Sequence, residues 1–259
     1  MLHRNDDKGL LVITQPSHAW ISGQLADCWG NVETGFEPAG PELRIAAEQH
    51  DIAWLEWEAY PTLNPATGLP FAFNELPTLE HLEIWRSATA HALSYGRLPA
   101  LLISMHGTYL YERYHDFASD TSDEVRAARA FLAREKKFQD RTVAYLSGQR
   151  DISQLIIKKE RKLVSLWDAI SLALCMGIGD RREFSNVPSA DEDLTLEFRR
   201  SDPVAETFTV DPWPFSGERC RLFCEGRRLD GTFEDLDDMR RTIWDSPSEF
   251  LELTLIPSR

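Results

Sequence analysis

Residues 163–177 read LVSLWDAISLALCMG. Apolar residues recur there at helical spacing, and Val164, Trp167, Ser171 and Cys175 share a side with Asp168. The predicted helix, about 151–178, stops at Gly177-Ile178-Gly179, because glycine suits the backbone just past a helix end. Beyond it the period falls to two. LTLEFRR (194–200), ETFTVD (206–211), RCRLFCEGRRL (219–229) and FLELTLIP (250–257) alternate as half-buried strands do, with a short charged helix at about 234–244. The stretch therefore divides the chain, with helices before it and strands after it.

Working back from this stretch, the spacing predicts helices at about 16–29, 41–57, 78–96, 98–117 and 120–148. Pro16 and Pro41 suit first turns, and Gly96 suits a stop. A short strand, GLLVIT (9–14), precedes them and is a candidate partner for the C-terminal strands. Residues 58–77 hold several prolines and the Asn64-Pro65 step, and read as a long irregular loop. Such a loop either shapes or covers a pocket, or packs as plain structure. The expected fold is mainly α: a helical bundle core over 1–180, with a small β-rich appendage over 181–259, α+β overall.

The chain has 259 residues, 42% of them hydrophobic, so it can bury a sizeable core. Its formal charge of −14 argues against a nucleic acid polymer held on a basic surface. A small anionic substrate stays open, because a bound cation reverses the local field. No stretch is apolar enough for a membrane span, and MLHRNDDKGLLVITQP lacks a signal-like apolar run; a cytoplasmic protein is expected. Cys28, Cys175, Cys220 and Cys224 form no zinc-ligand spacing and read as reduced thiols.

The chemistry lies in His18, the pair His50-Asp51, and Asp168. Asp168 interrupts an apolar helix, where an unpartnered carboxylate is costly. A cap or a buried cation is the structural explanation; beside buried imidazoles, a metal ion becomes the better one. Neutral imidazoles with carboxylates suit Mn, Fe, Zn, Co or Mg better than Ca. There is no GxxxxGK[ST] loop, no GxSxG elbow and no HExxH.

The order His, His-Asp, Asp, each on a separate helix over about residues 15–178, resembles the HD-domain metal-dependent phosphohydrolases. The resemblance implies that His18, His50, Asp51 and Asp168 ligate a divalent metal, and that Asp51 also orients the attacking water. It implies one ion or two; His91 and His106 are the candidates for a second, with His81 or His115 as replacements. Arg86, Lys158, Arg161 and Lys162 are candidates for holding phosphate. The whole chain, with VDPWPF at 210–215, also resembles an uncharacterised bacterial family. The resemblance implies hydrolysis of a small phosphoester or nucleotide. The alternatives are a di-iron oxygenase on an HD fold and a non-enzymatic binding protein.

Overall fold

The computed structural model describes residues 1–118, 121–149, 152–202 and 206–258. The first residues expected for two helices, 120 and 151, lie outside this set. The chain opens with a hairpin of β1 (Leu2–Asp6) and β2 (Gly9–Ile13). It continues through α1 (Gln15–Cys28), α2 (Pro41–Glu48) and α3 (Leu55–Ala59) to a small hairpin of β3 (Leu63–Asn64) and β4 (Leu69–Pro70). Next come α4 (Thr78–Trp85), α5 (Ala88–Ala92), α6 (Arg97–Tyr114), α7 (Ser122–Gln149) and α8 (Gln154–Met176). The strands β5 (Arg181–Pro188), β6 (Asp193–Asp202), β7 (Thr207–Asp211) and β8 (Cys220–Leu229) follow, then α9 (Leu236–Asp245) and β9 (Ser248–Pro257).

A helical bundle with a small β appendage is not what forms. Seven strands make one curled sheet, a half-barrel, in the order β1-β2-β8-β9-β7-β6-β5. The N-terminal hairpin joins it through antiparallel pairing of β2 with β8, with Val12 opposite Arg227. The strands are sizeable: β6, β8 and β9 have ten residues each. The period-two pattern does put one face inward, with Leu196 and Phe198, Phe208 and Val210, Cys220, Leu222 and Cys224, and Leu251, Leu253 and Leu255 all buried. That face needs a cover, and the helices supply it. α1 packs on β8, and α8 packs on β1 and β5. One apolar cluster accordingly runs from Leu11 and Ile13 through Ile21 and Trp167 to Leu222 and Leu253. The helices pack on each other, α1 against α2 and α8 and α6 against α7, and also on the sheet, because neither layer buries its apolar face alone.

Local chemistry sets the two helices that matter most. Thr14 caps α1 by accepting from the Ser17 N–H at 3.2 Å, with Pro16 in the first turn. Ser153 caps α8 in the same way, accepting from the Ile156 N–H. α1 and α2 cross closely at Gly23, where an added Cβ would lie 2.8 Å from Cβ of Glu48. The expected helix over 41–57 is broken. α2 ends at Glu48, and a 3-10 turn, Ile52–Trp54, precedes α3. The expected helix over 78–96 is likewise split between α4 and α5. No helix among the described residues is long and apolar enough to cross a membrane.

Candidate metal centre

His18 on α1, His50 and Asp51 in the turn after α2, His106 on α6 and Asp168 on α8 converge, and all five are buried. The broken helix explains how adjacent residues reach one site. In a continuous helix His50 and Asp51 would point about 100° apart. Here Gln49 (φ −108°, ψ 13°) and Asp51 (φ −104°, ψ 22°) leave the helical basin, and both side chains turn inward.

The hydrogen bonds on the far side of each ring decide what faces the centre. His50 Nδ1 lies 2.8 Å from the Ala47 carbonyl, which only accepts, so Nδ1 carries the proton. Ser171 Oγ donates to the Asp168 carbonyl and accepts from Ser22 Oγ, so it also accepts from His18 Nδ1 at 2.8 Å. Both rings therefore hold their protons outward and, when neutral, aim an Nε2 lone pair inward. Those lone pairs meet carboxylates. His18 Nε2 is 2.8 Å from Asp51 Oδ2, and His50 Nε2 is 3.3 Å from Asp168 Oδ1 and 3.5 Å from Asp51 Oδ2. His106 Nε2 is 3.7 Å from Asp168 Oδ2. The Nε2 atoms of His50 and His106 are buried with no hydrogen-bond partner.

Lone pairs facing anions need positive charge between them, and the spacing says of what size. Ligands about 2.1 Å from a divalent ion stand about 3.0 Å apart in an octahedron and about 3.4 Å apart in a tetrahedron. The contacts above bracket those values. Donor atoms of His18, His50 and Asp168 lie within 4.8 Å of one another, as do those of His50, Asp51 and His106, and these groups could hold a metal ion. The same carboxylates also draw a proton to His50. Burial opposes a charged His50, yet Asp51 and Asp168 outweigh it and hold its pKa well above the ordinary value. Burial also opposes ionised Asp51 and Asp168, but the neighbouring imidazoles hold both below the carboxylate range. His106 is pushed down to about 4, chiefly by burial, and is neutral at ordinary pH.

The other candidates separate. His91 is half-exposed on α5, its Nε2 4.0 Å from Glu56 Oε1, and does not reach the centre. The α4–α5 break turns it away. His81 uses both ring nitrogens, accepting from Trp85 Nε1 at 3.3 Å and meeting the Tyr111 hydroxyl. Burial pushes its pKa down to about 4. His115 lies in a neighbouring cleft rather than among the five donors. Arg86 pairs with Glu83 on the surface, Lys162 pairs with Asp193, and Lys158 is exposed. Of the four cations only Arg161 lies beside the cleft, its guanidinium 4.8 Å over the ring of Tyr109, which lines it.

That cleft, about 790 Å³, opens beside Asp168. Its floor is a helical stripe of α8: Ser165, Asp168, Ala169, Leu172, Ala173 and Met176. Phe73, Asn74 and Leu76, from the proline-rich loop, form part of its wall. The Tyr109–Tyr114 wall, and Arg181 and Arg182 at the far end, are not among the residues expected at a site; the tyrosine spacing in LPALLISMHGTYLYERYHDF is the one signal for the wall.

Fold and site together define an α+β protein with a buried His/Asp constellation at the head of a cleft. The chain belongs to DUF3891, a family of proteins of unknown function, whose profile matches residues 1–231. The match thus spans α1 to α8 and the strands β1 to β8, and leaves out α9 and β9. No curated protein and no solved structure matches it.

Proposed function

We propose that this protein is a metal-dependent hydrolase of a small anionic ester, of the HD-domain type. The observation that carries the reading is the pair of outward-protonated imidazoles, His18 and His50, whose Nε2 atoms face Asp51 and Asp168 in a buried site. His18, His50, Asp51 and Asp168 would hold one divalent ion. His91, one of the two histidines expected at a second ion, lies elsewhere, so the five donors serve one ion better than two. That removes the main support for a di-iron oxygenase. When bound, the ion supplies an acidified water and a cation against developing oxyanion charge. Asp51, held ionised, would help hold the ion and orient that water, and neutral His106 lies beside it with a buried Nε2 that has no hydrogen-bond partner. Asp168 and Ser165 border the cleft, so a substrate enters along α8.

A second reading rests on the 2.8 Å His18–Asp51 contact, which is also the length of a charged hydrogen bond. Protons in place of an ion would make the cluster a closed ionic core in a binding protein. Elemental analysis of protein purified without a polyhistidine tag, then titration with Mn(II), Zn(II), Co(II) and Fe(II), separates the two. One ion per chain, lost in Asp168→Asn, supports the hydrolase. No binding of any of the four at micromolar concentration overturns it. Turnover of bis(p-nitrophenyl) phosphate by the loaded protein, abolished in Asp51→Asn, tests the activity itself.

A further inference from the structure

The cleft is large for a phosphorylated headgroup alone, and its chemistry changes along its length. At one end stand Asp168 and Ser165. Along α8 the wall between the ends is apolar, with Ala169, Leu172 and Ala173, and Phe73, Leu76 and Leu110 add apolar lining; His81, Tyr111, Tyr114 and His115 also border the cleft. At the other end the chain leaves α8 and enters β5, where Arg181 and Arg182 line the mouth. Asp168 and Met176 are eight residues apart on one helix, so the apolar run is about 12 Å long. The two arginines are not equivalent. Arg181 is held by Glu183 and Glu197. Arg182 is exposed, lies 5.9 Å from the Phe184 ring, and among the described residues has no carboxylate partner. In a chain of net charge −14, a cation left free at the mouth of an apolar cleft is a distinctive arrangement.

We infer that the site takes an elongated aliphatic substrate with anionic groups at both ends: the hydrolysable head at Asp168, the apolar body along α8, and a distal carboxylate or phosphate at Arg182. The inference rests on the metal-centre reading, since that reading puts the reacting end at Asp168. The side chains of Ala169, Leu172 and Ala173 offer no hydrogen-bond partner along α8, so a polar group laid there goes unpaired. An aliphatic body matches those walls, and burying it supplies affinity in proportion to its length. Arg182 then acts as a specificity residue and not in the chemistry.

Calorimetric titration of the Mn(II)-loaded protein with decanedioate, decanoate and butanedioate tests this, a carboxylate standing in for the ester head. Decanedioate should bind about tenfold more tightly than decanoate, and more tightly still than butanedioate. Arg182→Gln should bring decanedioate down to the level of decanoate and leave decanoate unchanged. Ala173→Trp should weaken both long acids at least about tenfold with metal content unaltered; Leu172→Gln repeats the test with a smaller change. Butanedioate binding as tightly as decanedioate, or an Arg182→Gln protein indistinguishable from the parent, overturns the inference. If chelated protein binds the long acids as tightly as loaded protein, with the Arg182 and chain-length effects intact, the metal reading fails and the cleft assignment stands.

Discussion

Two buried acids in this molecule sit in opposite circumstances. Glu135 on α7 is enclosed by donors. Thr89 Oγ1 and Ser104 Oγ donate to its Oε2 at 2.6 and 2.8 Å, and Arg134 donates to its Oε1 at 2.9 Å. Gln139 extends the network to Ser104 and Thr108. Asp168 is as deeply placed, but it faces His50 Nε2, which brings no proton of its own when that ring is neutral. A polar cluster that only holds helices together closes its hydrogen bonds. One that leaves lone pairs aimed at carboxylates could hold a metal ion. The contrast distinguishes a structural carboxylate from a candidate ligand without reference to any relative.

The sharpest way to break this comparison is Asp168→Asn. It should lower metal affinity by at least about 100-fold, more than loss of an outer partner costs, while thermal unfolding of the chelated protein moves little. Equal metal content in parent and variant would undo the distinction. Glu135→Ala is the reciprocal change. It strands the Thr89 and Ser104 hydroxyls, while the exposed Arg134 turns to solvent, so denaturant unfolding should show a loss of about 1–3 kcal/mol with metal content unchanged. Gly107→Ala probes the wall of the centre. Its Cβ would lie 2.6 Å from the ring of Trp85, which packs against His106. The strain should cost about 1–3 kcal/mol and, by displacing Trp85, also weaken metal binding.

The smallest effect belongs to a third kind of acid. Glu160 on α8 has a buried Oε2 with no partner, and burial, with Glu42 nearby, pushes its pKa up to about 7. Between the unfolded value near 4.5 and that folded value, the native state holds a proton that the unfolded chain has released. Stability therefore falls as pH rises through this window. Glu160→Gln should flatten that slope and stabilise the protein above pH 7 by on the order of 1 kcal/mol, after allowance for solvent screening. Chemical unfolding at several pH values reads it directly, and parallel curves for parent and variant would refute the assignment.

Much of the centre was legible because it breaks local patterns. His106 and Asp168 stand in apolar helical runs, and a polar group there demands a partner. The later strands were legible from their alternation, and β2 as a partner for the C-terminal strands from its apolar run. The sheet as a whole was not. LHRND and RREFSNVP carry no clean alternation, so β1 and β5 were invisible, and pairing between distant strands leaves no local mark. The break after Glu48 was hidden for a different reason: neither glycine nor proline marks it, and tertiary packing bends the chain at Gln49. The same kind of unmarked break, at Arg86–Ser87, misdirected the reading of His91. Arg182 drew no notice because a surface arginine looks ordinary until a cleft is seen to end on it.

The pairing of Val12 with Arg227 also sets the order in which this molecule can be completed. At about 5–20 residues per second, a ribosome needs roughly ten to forty seconds to reach β8 after releasing β2. For that interval Leu10, Leu11, Val12 and Ile13 form an apolar strand with one edge unfilled. The helices that carry His18 and Asp168 are synthesised before the sheet beneath them exists. Assembly of the donor set is thus a late event in the life of a nascent chain, and the N-terminal hairpin is the segment most exposed to mispairing until then.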